Sequence, residues 1–186
     1  MSFHSYLSSI ITVSDELQEA FYKLTHTKEV KKGQLLVRAG ERCNDIYFVE
    51  SGLLRGYYYQ EEKEITHWFA REDEFATCFY SFITHVPSAE FIEAIEPCEL
   101  VQLPYANLQK LYASFPETER IGRLLTEAYY VRLEGRFLGL QFTTAKERYD
   151  NLMKHHPQLL QRASLGHIAS YLGITQETLS RIRAKQ

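Results

Sequence analysis

The spacing of apolar positions along the chain changes twice. Leu17, Ala20, Phe21 and Leu24 recur at helical intervals behind Ser14, which predicts an amphipathic helix over residues 15–27 with Ser14 as its N-cap. From Glu29 to about Tyr105 the pattern turns into short β-branched and aromatic runs: GQLLVRAG, DIYFVESG, LLRGYYYQ, EITHWFA, AEFIEAI and CELVQLP. Gly33, Gly40, Gly52, the pair Glu61 and Glu62, and Pro87 separate them as turn signals. Strands this short and this numerous predict a β-sandwich, jelly roll or barrel. After Pro116 the pattern is helical, and no proline interrupts it before Pro157. No internal repeat or low-complexity linker is present.

The stretch from Glu117 to Phe142 is the most regular. Ile121, Leu124, Ala128, Val131, Gly135, Leu138 and Phe142 follow at alternating steps of three and four, a strict heptad seam. Such a seam calls for a partner helix, and Ala128 and Gly135 allow a close approach in its middle. A helix of this length spans about 36 Å. Leu125, Tyr129 and Leu133 flank the seam and can bury a second face on the chain's own body, so the stretch predicts self-association through Ile121, Leu124, Ala128, Val131, Gly135 and Leu138.

The chain ends in LGHIASYLGITQETLSRIRAKQ. Ser164 can cap a helix whose Leu165, Ile168, Ala169 and Leu172 share one face, and Gly173 breaks it. Thr175 can then cap a second helix in which Leu179 and Ile182 turn inward with Ile174, while Gln176, Glu177, Ser180, Arg181 and Ala184 face outward. This is the spacing of a helix-turn-helix. Glutamine can pair with adenine, glutamate can accept from the cytosine amino group, and arginine can donate twice to guanine, when such a helix enters the major groove. The DNA-contacting set expected here is Thr175, Gln176, Glu177, Thr178, Ser180, Arg181, Arg183 and Lys185. A hairpin used only for packing has no need of so polar and cationic an outer face.

Charge sharpens that reading. The whole chain of 186 residues carries a formal net charge of -3, yet from Thr143 onward seven Lys and Arg stand against three acids. An acidic body with a basic tail is a footprint of nucleic-acid binding. Composition adds little more: 45% hydrophobic and 24% charged residues suit a soluble globular protein, with no signal peptide and no membrane-spanning run. Cys43, Cys78 and Cys98 are odd in number and never form CxxC, which predicts buried thiols in a reducing cytoplasm rather than disulfides or a zinc ribbon.

Enzymatic readings find no support. His67 and His85 stand alone, far apart and without a His-x-His, so a metal-dependent β-barrel lacks its ligands. GxSxG, HExxH and phosphate-cradling glycine loops do not occur. No catalytic residue, metal or cofactor is therefore expected, and three scattered cysteines do not suit an iron–sulfur centre.

The order of elements, with IASYLGITQETLSRIR at the end and KKGQLLVRAGERCNDIYFVESGLLRGYY in the β-rich part, resembles the CRP/FNR family of bacterial transcription regulators. The resemblance covers nearly the whole chain. It implies an α+β fold: an N-terminal β-roll of the double-stranded β-helix or jelly-roll type over 1–116, a dimerisation helix over 117–142, and an all-α helix-turn-helix domain over 143–186. It further implies a cytoplasmic homodimer on a pseudo-palindromic double-stranded DNA operator, an effector in the β-roll, and RNA polymerase as a further partner, with no membrane. Gln176, Glu177 and Arg181 match the family's base-contacting positions. The alternative is a cytosolic β-roll sensor whose tail binds a protein partner.

The sequence departs from the family's cyclic-AMP-binding pattern. Thr77 and Cys78 stand where a glycine-glutamate pair is expected, and Ser88 and Ala89 stand where an arginine-serine pair is expected. Between Glu72 and Glu99 there is no Lys or Arg, so a buried anion would lack a charged partner. The effector-pocket positions are thus Thr77, Cys78, Phe79, Ser88 and Ala89, with Tyr80, Phe82 and Phe91 near in sequence. They suit a neutral or apolar ligand, or a filled core, and cyclic AMP is not the expected effector. The β-wing that follows the recognition helix in typical members is not seen before Gln186.

Overall fold

A computed structural model describes residues 1–184. Two short helices open the chain, α1 (Phe3–Ile10) and α2 (Asp15–Leu24), capped by Ser2 and Ser14, whose hydroxyls accept from Ser5 and Leu17 N–H. The helix expected over 15–27 stops at Leu24. Thr25 takes an extended conformation while its N–H and hydroxyl both donate to Phe21 O, and His26–Val30 becomes strand β1. Sheet pairing overrides helical spacing there.

The six quoted runs each contain a strand: β2 (Leu35–Val37), β3 (Asp45–Ser51), β4 (Leu54–Gln60), β5 (Lys63–Ala70), β7 (Phe91–Ala94) and β8 (Cys98–Pro104). Strand β6 (Phe75–Ala76) is a further short one. They form two four-stranded sheets, in the orders β1-β8-β3-β6 and β2-β7-β4-β5. β8 pairs antiparallel with β1 on one side and β3 on the other, with Val30 opposite Cys98 and Phe48 opposite Val101. This is the β-roll that the family resemblance implies.

One segment inside the β-rich part is helical instead, α3 (Phe79–Thr84), and α4 (Tyr105–Ser114) follows that part. Aromatic and β-branched residues in FYSFIT read as strand by propensity, but propensity is a weak prior against tertiary bonds. Ser81 Oγ donates to Val86 O, and His85 closes α3 in the left-handed region at φ 59°. Glu61 and Glu62 form the two-residue turn between β4 and β5, both at positive φ (48° and 65°), where Asn-Gly is the usual choice. Gly52 is obligatory in another way: at φ 99°, an added Cβ would stand 2.5 Å from both Cys98 Sγ and Pro97 O.

The chain packs as two compact units, Met1–Gly56 with Phe69–Leu125, and Tyr57–Trp68 with the residues from Thr126 onward. In the first, Phe3, Leu7, Leu17, Phe21, Phe48 and Leu111 belong to one buried cluster, with Phe3 edge-on to Phe21 at 5.5 Å. That unit also buries a cation: Arg55 Nη2 lies 2.6 Å from Glu93 Oε2, with side chains 3% and 21% exposed. All three cysteines are free and buried, as expected.

Helix α5 (Pro116–Phe142) runs unbroken through the heptad stretch, with Pro116 at its first position and Glu117 and Glu119 in its first turn. Helices α6 (Ala145–His155), α7 (Leu159–Arg162), α8 (Leu165–Tyr171) and α9 (Gln176–Arg183) follow. A capping box starts α6: Thr144 Oγ1 accepts from Glu147 N–H while Thr144 N–H donates to Glu147 Oε2 at 2.7 Å.

Candidate nucleic-acid interface

The two C-terminal helices form where capping and the turn glycine require. Ser164 Oγ accepts from His167 N–H at 3.1 Å to start α8, and Thr175 Oγ1 accepts from Thr178 N–H at 3.2 Å to start α9. Between them Gly173 sits at φ 65°, with any added Cβ only 2.9 Å from Leu140 Cδ2. Ile168, Ala169, Leu172 and Leu179 are buried and hold the pair together. Ile174 and Ile182 are half-buried, and Leu165, expected inside, is 39% exposed because it occupies the first turn at the rim.

The outer face is as expected. Gln176, Glu177, Ser180, Arg181, Arg183 and Ala184 are exposed, Thr175 is the exposed cap, and Thr178 is half-buried. Arg181 Nη2 donates to Thr178 Oγ1 at 3.2 Å, which orients the guanidinium along the helix surface. Glu177 lies in the first turn and Arg181 and Arg183 in the last, so each charge also suits the helix dipole. Lys185 lies outside the described residues.

Two arginines missed by sequence reading hold this pair of helices. Arg136, on α5, donates through Nη1 to Tyr171 O at 2.7 Å and through Nη2 to Thr66 O at 3.2 Å, with its guanidinium 4.3 Å from the centre of the Tyr171 ring. Arg148, on α6, donates through Nε to Leu172 O at 2.8 Å and through Nη1 to Thr143 O. The last carbonyls of α8 thereby gain cationic donors, a known way to end a helix. Ser170 Oγ donates to Glu64 O at 2.9 Å and accepts from Thr66 N–H at 2.8 Å. A helix-interior arginine reads as a solvated charge in sequence, so no local signal marks these roles.

The heptad seam divides. Ile121 is buried in the core of the first unit beside Leu111 and is no interface residue, because the start of α5 is already covered there. Leu124 is half-buried. From Ala128 onward the seam is bare: Val131 is 68% exposed, Leu138 44% and Phe142 78%, with Ala128 and Gly135 exposed between them. Leu133, expected to bury against the body, is exposed as well.

Three of the expected effector positions meet around Cys43. Thr77 Oγ1 donates to Asp45 O at 2.9 Å and lies 3.3 Å from Cys43 Sγ, Cys78 N–H donates to the same sulfur, and Ser88 bonds the Cys78 side chain. Cys78 is the donor of the thiol pair and keeps its proton: its bond to Cys43 first, then burial, raises its pKa, while Cys43, the acceptor, is lowered mainly by that same bond. Thr77, Cys78 and Ser88 are all buried. Phe79 is half-buried, whereas Ala89 and Tyr80 point outward and line nothing, because α3 turns one side to solvent. Phe82 does face inward, edge-on to Tyr105 at 5.2 Å.

Comparison with known proteins agrees with this architecture. Residues 27–115 match the cyclic nucleotide-binding domain. An anaerobic regulatory protein from Haemophilus influenzae is 28% identical over 181 residues, spanning 90% of this chain and 69% of that protein. The chain is similar to regulators of the CRP/FNR type. A fumarate and nitrate reduction regulatory protein from Yersinia pestis is 24% identical over 180 residues, covering 90% of this chain and 71% of its own. Among solved structures, FixK2 from Bradyrhizobium japonicum superposes with a TM-score of 0.74 at 21% identity, over 87% of this chain and 83% of that one. A CooA mutant from Carboxydothermus hydrogenoformans gives 0.72 at 22% identity, over 92% and 80%. The CRP/FNR relatives are named as regulators, and no helix among the described residues is long and apolar enough to cross a membrane.

Proposed function

We propose that this protein is a CRP/FNR-type regulator that binds a pseudo-palindromic operator as a homodimer, reading bases through α9, and that cyclic AMP does not control it. The observation that carries the DNA reading is α9 itself: Leu179 is buried on one side while Gln176, Glu177, Ser180 and Arg181 stand exposed on the other. Those side chains have the donors and acceptors that base edges require. The bare seam from Ala128 to Phe142 supports dimerisation, since apolar surface at this spacing is stabilised by a matching helix. Residues 1–116 then serve as the sensor, 117–142 as the dimer helix and 143–186 as the reading domain.

Against cyclic AMP stands the chemistry around Cys43, which Thr77 and Cys78 both bond while Ser88 bonds Cys78, and no Lys or Arg lies between Glu72 and Glu99. A cyclic phosphate there would be buried without a cation.

The test is selection of an operator from random duplexes, followed by binding as a function of salt. Affinity falls steeply with salt because phosphate contacts release counterions. Arg181→Ala loses discrimination at one base pair of each half-site, costing about 1–3 kcal/mol, and the half-sites lie about 34–36 Å apart. Failure to retain any duplex at low salt overturns the reading. Calorimetry with cyclic AMP shows no tightening of operator binding.

A further inference from the structure

The C-terminal unit contains a cavity of about 310 Å³ bounded by α5, α6 and α8. Arg132 and Arg136 enter it from α5 and Arg148 from α6, and no carboxylate lines it. Leu140, Leu152 and Leu172 supply an apolar wall, and Asn151 adds an amide at the rim. The volume is at the lower end of the range typical of small-molecule sites.

Among the described residues no carboxylate meets Arg136 or Arg148. The groups that Arg136 and Arg148 meet are uncharged: Tyr171 O, Thr66 O and the Tyr171 side chain for the first, Leu172 O and Thr143 O for the second. The carbonyls closing a helix offer only about half an elementary charge. Removing a guanidinium from water is costly unless an anion meets it. Burial, which outweighs the Tyr171 side chain, lowers the Arg136 pKa, and Arg148 nearby lowers it further. The first unit treats its own buried arginine differently, for Arg55 meets Glu93 directly at 2.6 Å.

The cavity is also kept open from one side. Gly135 and Gly139 form its floor on α5, and a Cβ built on either meets nothing within 4 Å. Glycine is a poor choice inside a helix, and while the heptad seam accounts for Gly135, Gly139 lies at neither a turn nor a close contact that explains it.

We propose that this cavity is a binding site for a small organic anion, a phosphate monoester or carboxylate with a compact apolar body. The anionic group pairs with the three guanidinium groups and the body lies against Leu140, Leu152 and Leu172. A bounded space of this size admits a free small molecule and not a duplex backbone. Because the ligand touches α5, α6 and α8 together, its binding is linked to the seating of the α8–α9 pair on the dimer helix.

The test is calorimetry on the full chain, without DNA, using phenyl phosphate and benzoate as probes and phenol as the neutral control. One site per chain with a dissociation constant at or below about 1 mM is expected for at least one anion, and phenol binds about tenfold more weakly or not at all. Gly139→Leu fills the floor without removing a charge and weakens binding at least about tenfold, while its melting temperature stays level or rises because leucine favours helix. Arg132→Gln weakens binding as well and gives a second reading should Gly139→Leu fold poorly. Absence of saturable binding by both anions, equal binding of phenol, or undiminished binding to both variants overturns the proposal. Since no DNA enters the experiment, its failure leaves the operator reading untouched, and the reverse also holds.

Discussion

The two compact units solve the same problem differently. In the β-roll unit a buried arginine, Arg55, is neutralised by Glu93, and the aromatic cluster of Phe3, Phe21 and Phe48 closes on itself. In the C-terminal unit Arg136 and Arg148 meet carbonyls and the Tyr171 side chain but no carboxylate, while Val131, Phe137 and Phe142 lie open to solvent. The first unit pairs its buried arginine with a carboxylate, whereas the second leaves its half-buried arginines without one and its seam uncovered. An arrangement of this kind marks where partners bind, since exposed apolar seams and unbalanced cations are stabilised only by something that covers them.

The largest effect expected is from Arg55→Ala. It leaves the Glu93 carboxylate without its cation in a largely buried place, and a cost of about 3–5 kcal/mol in chemical unfolding is expected. Arg136→Ala removes donors but strands only uncharged carbonyls, Tyr171 O on α8 and Thr66 O on β5, so its cost is about 1.5–3 kcal/mol. Equal losses for the two variants would erase the contrast between the units.

A smaller effect is local to α6. Thr144→Ala removes the cap and costs about 1 kcal/mol. The backbone N–H of Thr144 first, and its hydroxyl second, hold the Glu147 carboxyl below its ordinary pKa. A carboxyl lowered in the folded state adds stability above its unfolded pKa and loses it as pH falls through the folded one. The difference between wild type and Thr144→Ala therefore narrows as pH drops below about 4, as circular dichroism melts at a series of pH values will register.

The smallest effect on folding, and the most informative about the seam, comes from Val131→Glu with Leu138→Glu. Both positions are exposed within one chain, so at concentrations where wild type is also monomeric the folding free energy moves by less than about 0.5 kcal/mol. Light scattering at higher concentration nevertheless reports a monomer where wild type is a dimer. A double variant that stays dimeric removes the seam from the interface.

Periodicity sufficed for much of this. Alternating β-branched runs placed β2, β3, β4, β5, β7 and β8, and the three-four spacing placed α5, because both patterns are the direct imprint of side-chain direction on one chain segment. Caps were equally legible: Ser14, Ser164 and Thr175 each accept the N–H that their position predicts. The exposed face of α9 followed from the same rule. Strand β1 and helices α3 and α4 were not legible, since sheet partners and bonds such as Ser81 Oγ to Val86 O decide them from elsewhere.

By itself the sequence determined which faces of its helices are polar and apolar, where most strands run, and the basic character of the tail. Only the tertiary structure decided which of those faces are covered. It turned Ile121 inward while leaving Val131 bare on the same seam, and it carried Arg136 and Arg148, twelve positions apart in the chain, onto the final carbonyls of one helix. The reason is physical: periodicity is a property of neighbouring residues, whereas burial and charge compensation depend on groups that the fold brings together from distant parts of the chain.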